Sequence, residues 1–129
     1  MKNFKKDIKF KKIKNFLSKK EVQIYNEYFL IKHKNNTEEF DFVQNNNGDT
    51  FFYADPLTES LLMHKKKIIE KETNLSLYPT YSFFRMYTMF SDLKKHSDRP
   101  SCEISVTVMV GSSGEKWPIF MELYIQAVM

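Results

Sequence analysis

The chain has 129 residues, of which 42% are hydrophobic and 16% aromatic, with 12 Phe and 7 Tyr. That is apolar material for the core of a single domain over residues 1–129, which excludes wholesale disorder, and three Gly and four Pro exclude collagen-like or Gly/Pro-rich repeats. One cysteine, Cys102, excludes an internal disulfide, and no apolar run approaches the ~18 residues of a membrane span. No apolar signal-peptide core follows the basic start, so a cytoplasmic protein without a membrane partner is expected.

The net charge of +4 is unevenly placed. Residues 1–20 carry nine Lys and one Asp (+8), and the other 109 carry eleven Lys and Arg against fifteen Asp and Glu (−4). The Lys-rich segment 1–18 admits a nucleic-acid-binding arm, but a solvated terminus outweighs that reading. Phe4, Phe10, Ile13 and Phe16 interrupt the lysines, which suits a segment laid on the domain.

In chain order, Ser18-Lys19-Lys20-Glu21 has the spacing of a capping box, which satisfies two orphan backbone donors at a helix start. Val22, Tyr25, Phe29 and Lys32 follow at helical spacing and predict a helix over about 19–33, ended by Asn35-Asn36-Thr37. Phe40 and Phe42 suggest a short strand, Asn45 to Asp49 a turn, and Phe51-Phe52-Tyr53 resumes the apolar chain. Asp55-Pro56 predicts a second helix start, with Leu57, Leu61, Ile68 and Ile69 on its buried face and an end near Glu72. Lys65, Lys66 and Lys67 are read as its solvated face.

Tyr81 to Tyr87 is aromatic-rich and reads as a strand. Ile104, Val106, Val108 and Val110 alternate with Ser105, Thr107 and Met109, the clearest strand pattern in the chain. Gly111 to Gly114 is a loop, and Trp117 to Met121 reads as another strand start. Helices first and strands later predict an α+β fold.

Of the three histidines, His33 and His64 fall on the predicted helices without a carboxylate at ligand spacing. His96 stands two residues before Asp98. On an extended strand i and i+2 share a face, so an imidazole nitrogen and a carboxylate oxygen can grip one metal ion from one side. These are two members of the 2-His-1-carboxylate triad of non-haem Fe(II) sites. An H-x-D alone arises often by chance. Zinc is the poorer metal, since structural zinc takes four ligands and Cys102 is the sole thiol.

The surrounding run is more specific: Tyr78-Pro79-Thr80-Tyr81-Ser82-Phe83-Phe84-Arg85-Met86-Tyr87, then His96-Ser97-Asp98-Arg99-Pro100-Ser101-Cys102-Glu103 and a β-branched stretch. Over residues 77–120 it resembles the 2-oxoglutarate/Fe(II)-dependent dioxygenases of the prolyl 4-hydroxylase-like group, small bacterial and phage type. The resemblance implies a double-stranded β-helix (jelly-roll, cupin-like) with N-terminal helices packed on one sheet. It implies His96 and Asp98 as iron ligands and Tyr87 as a 2-oxoglutarate contact. Arg85, on the strand face of Tyr87, is a candidate to meet a carboxylate, and Arg99 a candidate to orient Asp98, each set against a plain surface or turn role. The implied reaction is hydroxylation of a substrate C–H bond, in a peptide or small molecule, coupled to decarboxylation of 2-oxoglutarate to succinate. Fe(II), 2-oxoglutarate and O₂ are required, and ascorbate often supports relatives.

The family also needs a distal histidine and a cation for the far carboxylate of 2-oxoglutarate. No histidine follows His96, and the 31 residues after Asp98 give room for about three strands. The expectation is therefore the front part of the domain, C-terminally truncated, completed by a partner chain or by self-association. The alternatives are a non-catalytic remnant or interaction module and, third, nucleic-acid binding through the N-terminus.

Overall fold

Ser18 and Glu21 open the first helix as the capping box requires: Ser18 N–H donates to Glu21 Oε1 at 3.0 Å and Glu21 N–H donates to Ser18 Oγ at 3.1 Å. The computed structural model describes residues 10–38, 49–114 and 118–119. Its elements run α1 (Lys19–Glu38), β1 (Thr50–Tyr53), α2 (Pro56–Thr73) and β2 (Phe83–Met86), so the fold is α+β with a two-stranded antiparallel sheet. The strand expected at Phe40–Phe42, most of the Asn45–Asp49 turn, and Trp117, Phe120 and Met121 lie outside the described residues.

Helix α1 continues five residues beyond the expected end near 33. Asn and Thr lower helix propensity by only about 0.5 kcal/mol each, and without Pro or Gly they do not stop a helix. Helix α2 follows its signals closely. Asp55 is the N-cap and accepts from Leu57 N–H at 3.0 Å, Pro56 stands in the first turn, and Asn74 closes the helix at φ 54°, ψ 37°. Ala54, at φ 52°, makes the sharp exit from β1 into that cap, a left-handed conformation that disfavours a Cβ.

The strands pair in the register Thr50↔Met86, Phe51↔Arg85, Phe52↔Phe84 and Tyr53↔Phe83, and Ala54 N–H donates to Ser82 O at 3.0 Å to extend the ladder. Alternation sends Thr50, Phe52, Phe84 and Met86 to one face and Phe51, Tyr53, Phe83 and Arg85 to the other. The first face carries the core. The Phe84 ring stacks on Phe29 of α1 at 4.1 Å between centroids and 10° between planes, and lies 5.9 Å from Phe52. Phe29, Ile69 and Phe84 are the buried apolar side chains among the described residues. The second face is open, with Tyr53 and Phe83 more than half exposed.

The buried stripe of α2 is Thr58, Lys65, Ile69 and Thr73, whereas Leu57 and Leu61 are half-buried and Ile68 is exposed. Polar groups are tolerated there because each is satisfied: Thr58 Oγ1 donates to Asp55 O at 3.1 Å, Thr73 Oγ1 donates to Ile69 O at 2.8 Å, and Lys65 Nζ reaches Glu21 at 3.0 Å. Lys65 is thus removed from the expected solvated face, which Lys67 keeps.

Residues 104–110 form no strand. Alternating β-branched residues favour extended backbone, but a strand exists only when its N–H and C=O groups pair with a neighbour. This segment instead ends against α1, where Gly111 sits so close to Asn26 that a Cβ would collide with the amide. The strand expected over Tyr81–Tyr87 is shorter, Phe83–Met86.

Candidate functional site

His96 and Asp98 lie on an irregular segment after β2, not on a strand as their spacing suggested. They nonetheless come together: His96 Nε2 is 3.6 Å from Asp98 Oδ1, and both side chains are about half exposed at 54% and 50%. His96 Nδ1 is 2.8 Å from Lys94 O. A carbonyl oxygen only accepts, so Nδ1 donates and, in the neutral ring, the Nε2 lone pair faces Asp98. That is the arrangement by which a backbone carbonyl sets the tautomer of a metal-ligating histidine. Two atoms each about 2.0–2.2 Å from one ion, at adjacent positions, stand roughly 3 Å apart, so a small adjustment lets this pair grip a cation.

Asp98 is oriented by a residue that the sequence did not point to. Ser105 Oγ donates to Asp98 Oδ2 at 2.6 Å, leaving Oδ1 toward His96. The contact spans seven residues across a turn in which Cys102 N–H donates to Arg99 O at 2.8 Å. Only the geometry of that turn brings Ser105 back. Among the described residues no group of three or more His, Cys, Asp or Glu gathers where it could hold a metal. His33 is engaged elsewhere, its Nδ1 2.6 Å from Thr50 Oγ1, and His64 is exposed on α2.

Tyr87 stands just after β2 with the Arg85 guanidinium 4.9 Å from its ring centroid. Arg85 binds Asp49, with Nε 3.0 Å and Nη2 2.6 Å from Oδ2. Asp49 is fully buried and also accepts from Ser91 Oγ, so its carboxylate joins β2 to the loop after it and the Arg85 guanidinium is committed to that carboxylate. Arg99 stands over the rings of Tyr53 and Tyr81. Tyr81 is pushed up by its hydrogen bond with Cys102 and by burial. Cys102 is half-buried.

A second polar cluster locks the helices to β1. Tyr28 OH donates to both Asp55 oxygens at 2.9 and 2.7 Å, and Lys32 Nζ lies 3.1 Å from Oδ2 and 4.2 Å from the Phe52 ring centroid. Burial alone pushes Asp55 up, but the donors Tyr28, Lys32 and Leu57 N–H together bring its carboxyl below the usual value. The same burial, with the adjacent carboxylate, pushes the Tyr28 phenol up to about 12.

Several lysines among the described residues stand in ion pairs. Lys11 lies against Glu72, Lys32 against Asp55, Lys65 against Glu21 and Lys66 against Glu70. Each such pair removes a cation from a phosphate-binding surface. No helix among the described residues is long and apolar enough to cross a membrane. Comparison with protein-family models, with curated proteins and with solved structures finds no match for this chain.

Proposed function

We propose that the chain carries two protein ligands of an Fe(II) centre of the 2-oxoglutarate-dependent dioxygenase type, His96 through Nε2 and Asp98 through Oδ1. The observation that carries this reading is their 3.6 Å approach, with the imidazole tautomer set by Lys94 O and the carboxylate turned by Ser105. When bound, Fe(II) with 2-oxoglutarate and O₂ supplies oxidative decarboxylation coupled to C–H hydroxylation. The roles of the chain's own residues are to present two ligands on one side and leave the other side open, with Tyr87 near the co-substrate. In this reading β1 and β2 begin a double-stranded β-helix, whose further strands and third ligand come from a partner chain or a second copy. A cytoplasmic location belongs to the same proposal.

The open face of the sheet favours a second reading. Tyr53 and Phe83 on that face, and Met89, Phe90 and Met109 in the segments after β2, expose apolar surface that an interaction module would cover, with or without turnover. Anaerobic titration of the full chain with Fe(II) and 2-oxoglutarate separates the two. A saturable visible charge-transfer band, lost in His96→Ala and in Asp98→Ala, is the expected result. Iron affinity that is the same in both variants as in the native chain overturns the ligand assignment.

A further inference from the structure

Arg99 follows Asp98 directly, yet its guanidinium points to the sheet. Its Cζ lies 5.6 Å from the Tyr53 ring centroid and 5.2 Å from that of Tyr81, and the two rings are 5.0 Å apart, tilted by 39°. Tyr53 ends β1, and Tyr81 precedes β2 by two residues. One cation therefore sits on two π-faces, one at the end of β1 and one on the segment leading into β2. A guanidinium is the side chain best suited to this, being planar, permanently charged and weakly hydrated.

The backbone of the same residue is also fixed. Cys102 N–H closes a turn on Arg99 O at 2.8 Å, with Pro100 presetting its second position, and Cys102 Sγ lies 4.0 Å from Thr80 Oγ1 beside Tyr81. By contrast, the hydrogen bonds of His96 and Asp98 are local, to Lys94 O and Ser105 Oγ. The ligand loop is exposed throughout residues 92–101. The Arg99 stack, together with Cys102 beside Thr80 and Tyr81, ties its ligand end to the folded body.

From this geometry we infer that Arg99 is a positioning residue: by stacking on Tyr53 and Tyr81 it fastens the His96–Asp98 loop to the sheet and holds the two ligands in register for a metal ion. The inference rests on the ligand reading above for its functional consequence, and on the stack alone for its structural one. A loop that must be ordered when the ion binds loses affinity by the cost of that ordering, and a loop already fastened does not.

The test uses the full chain with Arg99→Ala, Arg99→Lys and Tyr81→Leu, read in two ways. The first is amide hydrogen exchange over residues 93–102. Two cation–π contacts at an exposed site correspond to a change of roughly fivefold or more, so exchange there rises by about that factor in Arg99→Ala, and by less in Tyr81→Leu, which keeps the Tyr53 contact, and in Arg99→Lys, which keeps the charge. Peptides from α2 stay unchanged, which separates loop release from unfolding. Native-like exchange over 93–102 in Arg99→Ala overturns the inference. The second is affinity for Mn(II), an air-stable stand-in for Fe(II), with His96→Ala as reference. Affinity lowered about fivefold in Arg99→Ala and by less in Tyr81→Leu, partly restored in Arg99→Lys, supports the positioning role. Loss of Mn(II) in His96→Ala with native affinity in Arg99→Ala and Tyr81→Leu overturns that role and leaves the ligand assignment standing. Unchanged Mn(II) affinity in His96→Ala overturns the ligand assignment and the positioning role with it, and the fastening of the loop is then decided by exchange.

Discussion

Lys65 of α2 reaches Glu21 of α1 across 44 positions of sequence, its Nζ 3.0 Å from each carboxylate oxygen and its side chain only 8% exposed. The same carboxylate accepts from Ser18 N–H at 3.0 Å. Glu21 therefore joins two tasks: it caps the start of α1 and docks α2 against it. Phe16 covers the pair, with Lys65 Nζ 5.7 Å from its ring centroid. Through these contacts and Lys11 on Glu72, part of the basic N-terminal segment is held on the helices.

This arrangement separates two neighbouring lysines. Lys65→Ala removes the cation from a buried ion pair, and stability falls by about 1–3 kcal/mol, below the upper range for buried pairs because Glu21 keeps some contact with water. Lys67→Ala, on the exposed side of the same helix, stays within about 0.5 kcal/mol of the native chain. Urea unfolding of the two variants checks the contrast, and equal midpoints would contradict the buried position of Lys65.

Acid should act through the same residue. The Ser18 amide, followed by the Lys65 ammonium, holds the Glu21 carboxyl down to about 2 from an ordinary 4.5, and Asp55 is lowered as well. A depressed carboxylate contributes stability that is fully present above its ordinary value and is lost as pH falls through the folded one. The thermal midpoint should therefore drop between pH 4.5 and about 2, and Glu21→Gln should flatten part of that drop. Tyr28 acts in the opposite direction. Its phenol is raised from 10.0 to about 12, so stability should fall as pH rises through that interval, and Tyr28→Phe should remove the alkaline loss.

Asp49 and Arg85 should behave as one unit. Asp49 is fully buried, so Arg85→Ala leaves a carboxylate without its cation and should cost about 3–5 kcal/mol. The double variant Asp49→Ala, Arg85→Ala should lose clearly less than the sum of the single losses, because neither charge is then stranded. Additive losses in a double-mutant cycle would show that the two side chains do not depend on each other. The same cycle asks what else Arg85 does, since a guanidinium locked on Asp49 has little freedom to meet a carboxylate of a co-substrate.

Local chemistry explains what could be read from the sequence. The capping box at Ser18 and Glu21, the Asp55-Pro56 start and the Asn74 end of α2 depend on backbone groups within a few residues, so their spacing alone was enough. The aromatic run around Phe84 was legible as a strand for the same reason, and the i, i+2 spacing of His96 and Asp98 was legible as a candidate pair. The tertiary structure decided everything that needed a distant partner. Lys65 is buried because Glu21 waits on another helix, Arg85 is committed because Asp49 precedes the paired strand, and Asp98 is turned by Ser105 after a reversal of the chain. Residues 104–110 have the composition of a strand and no ladder, since pairing is a property of two segments and not of one. A side chain's intrinsic preference is local, but its desolvation and its partner are fixed only when remote segments meet.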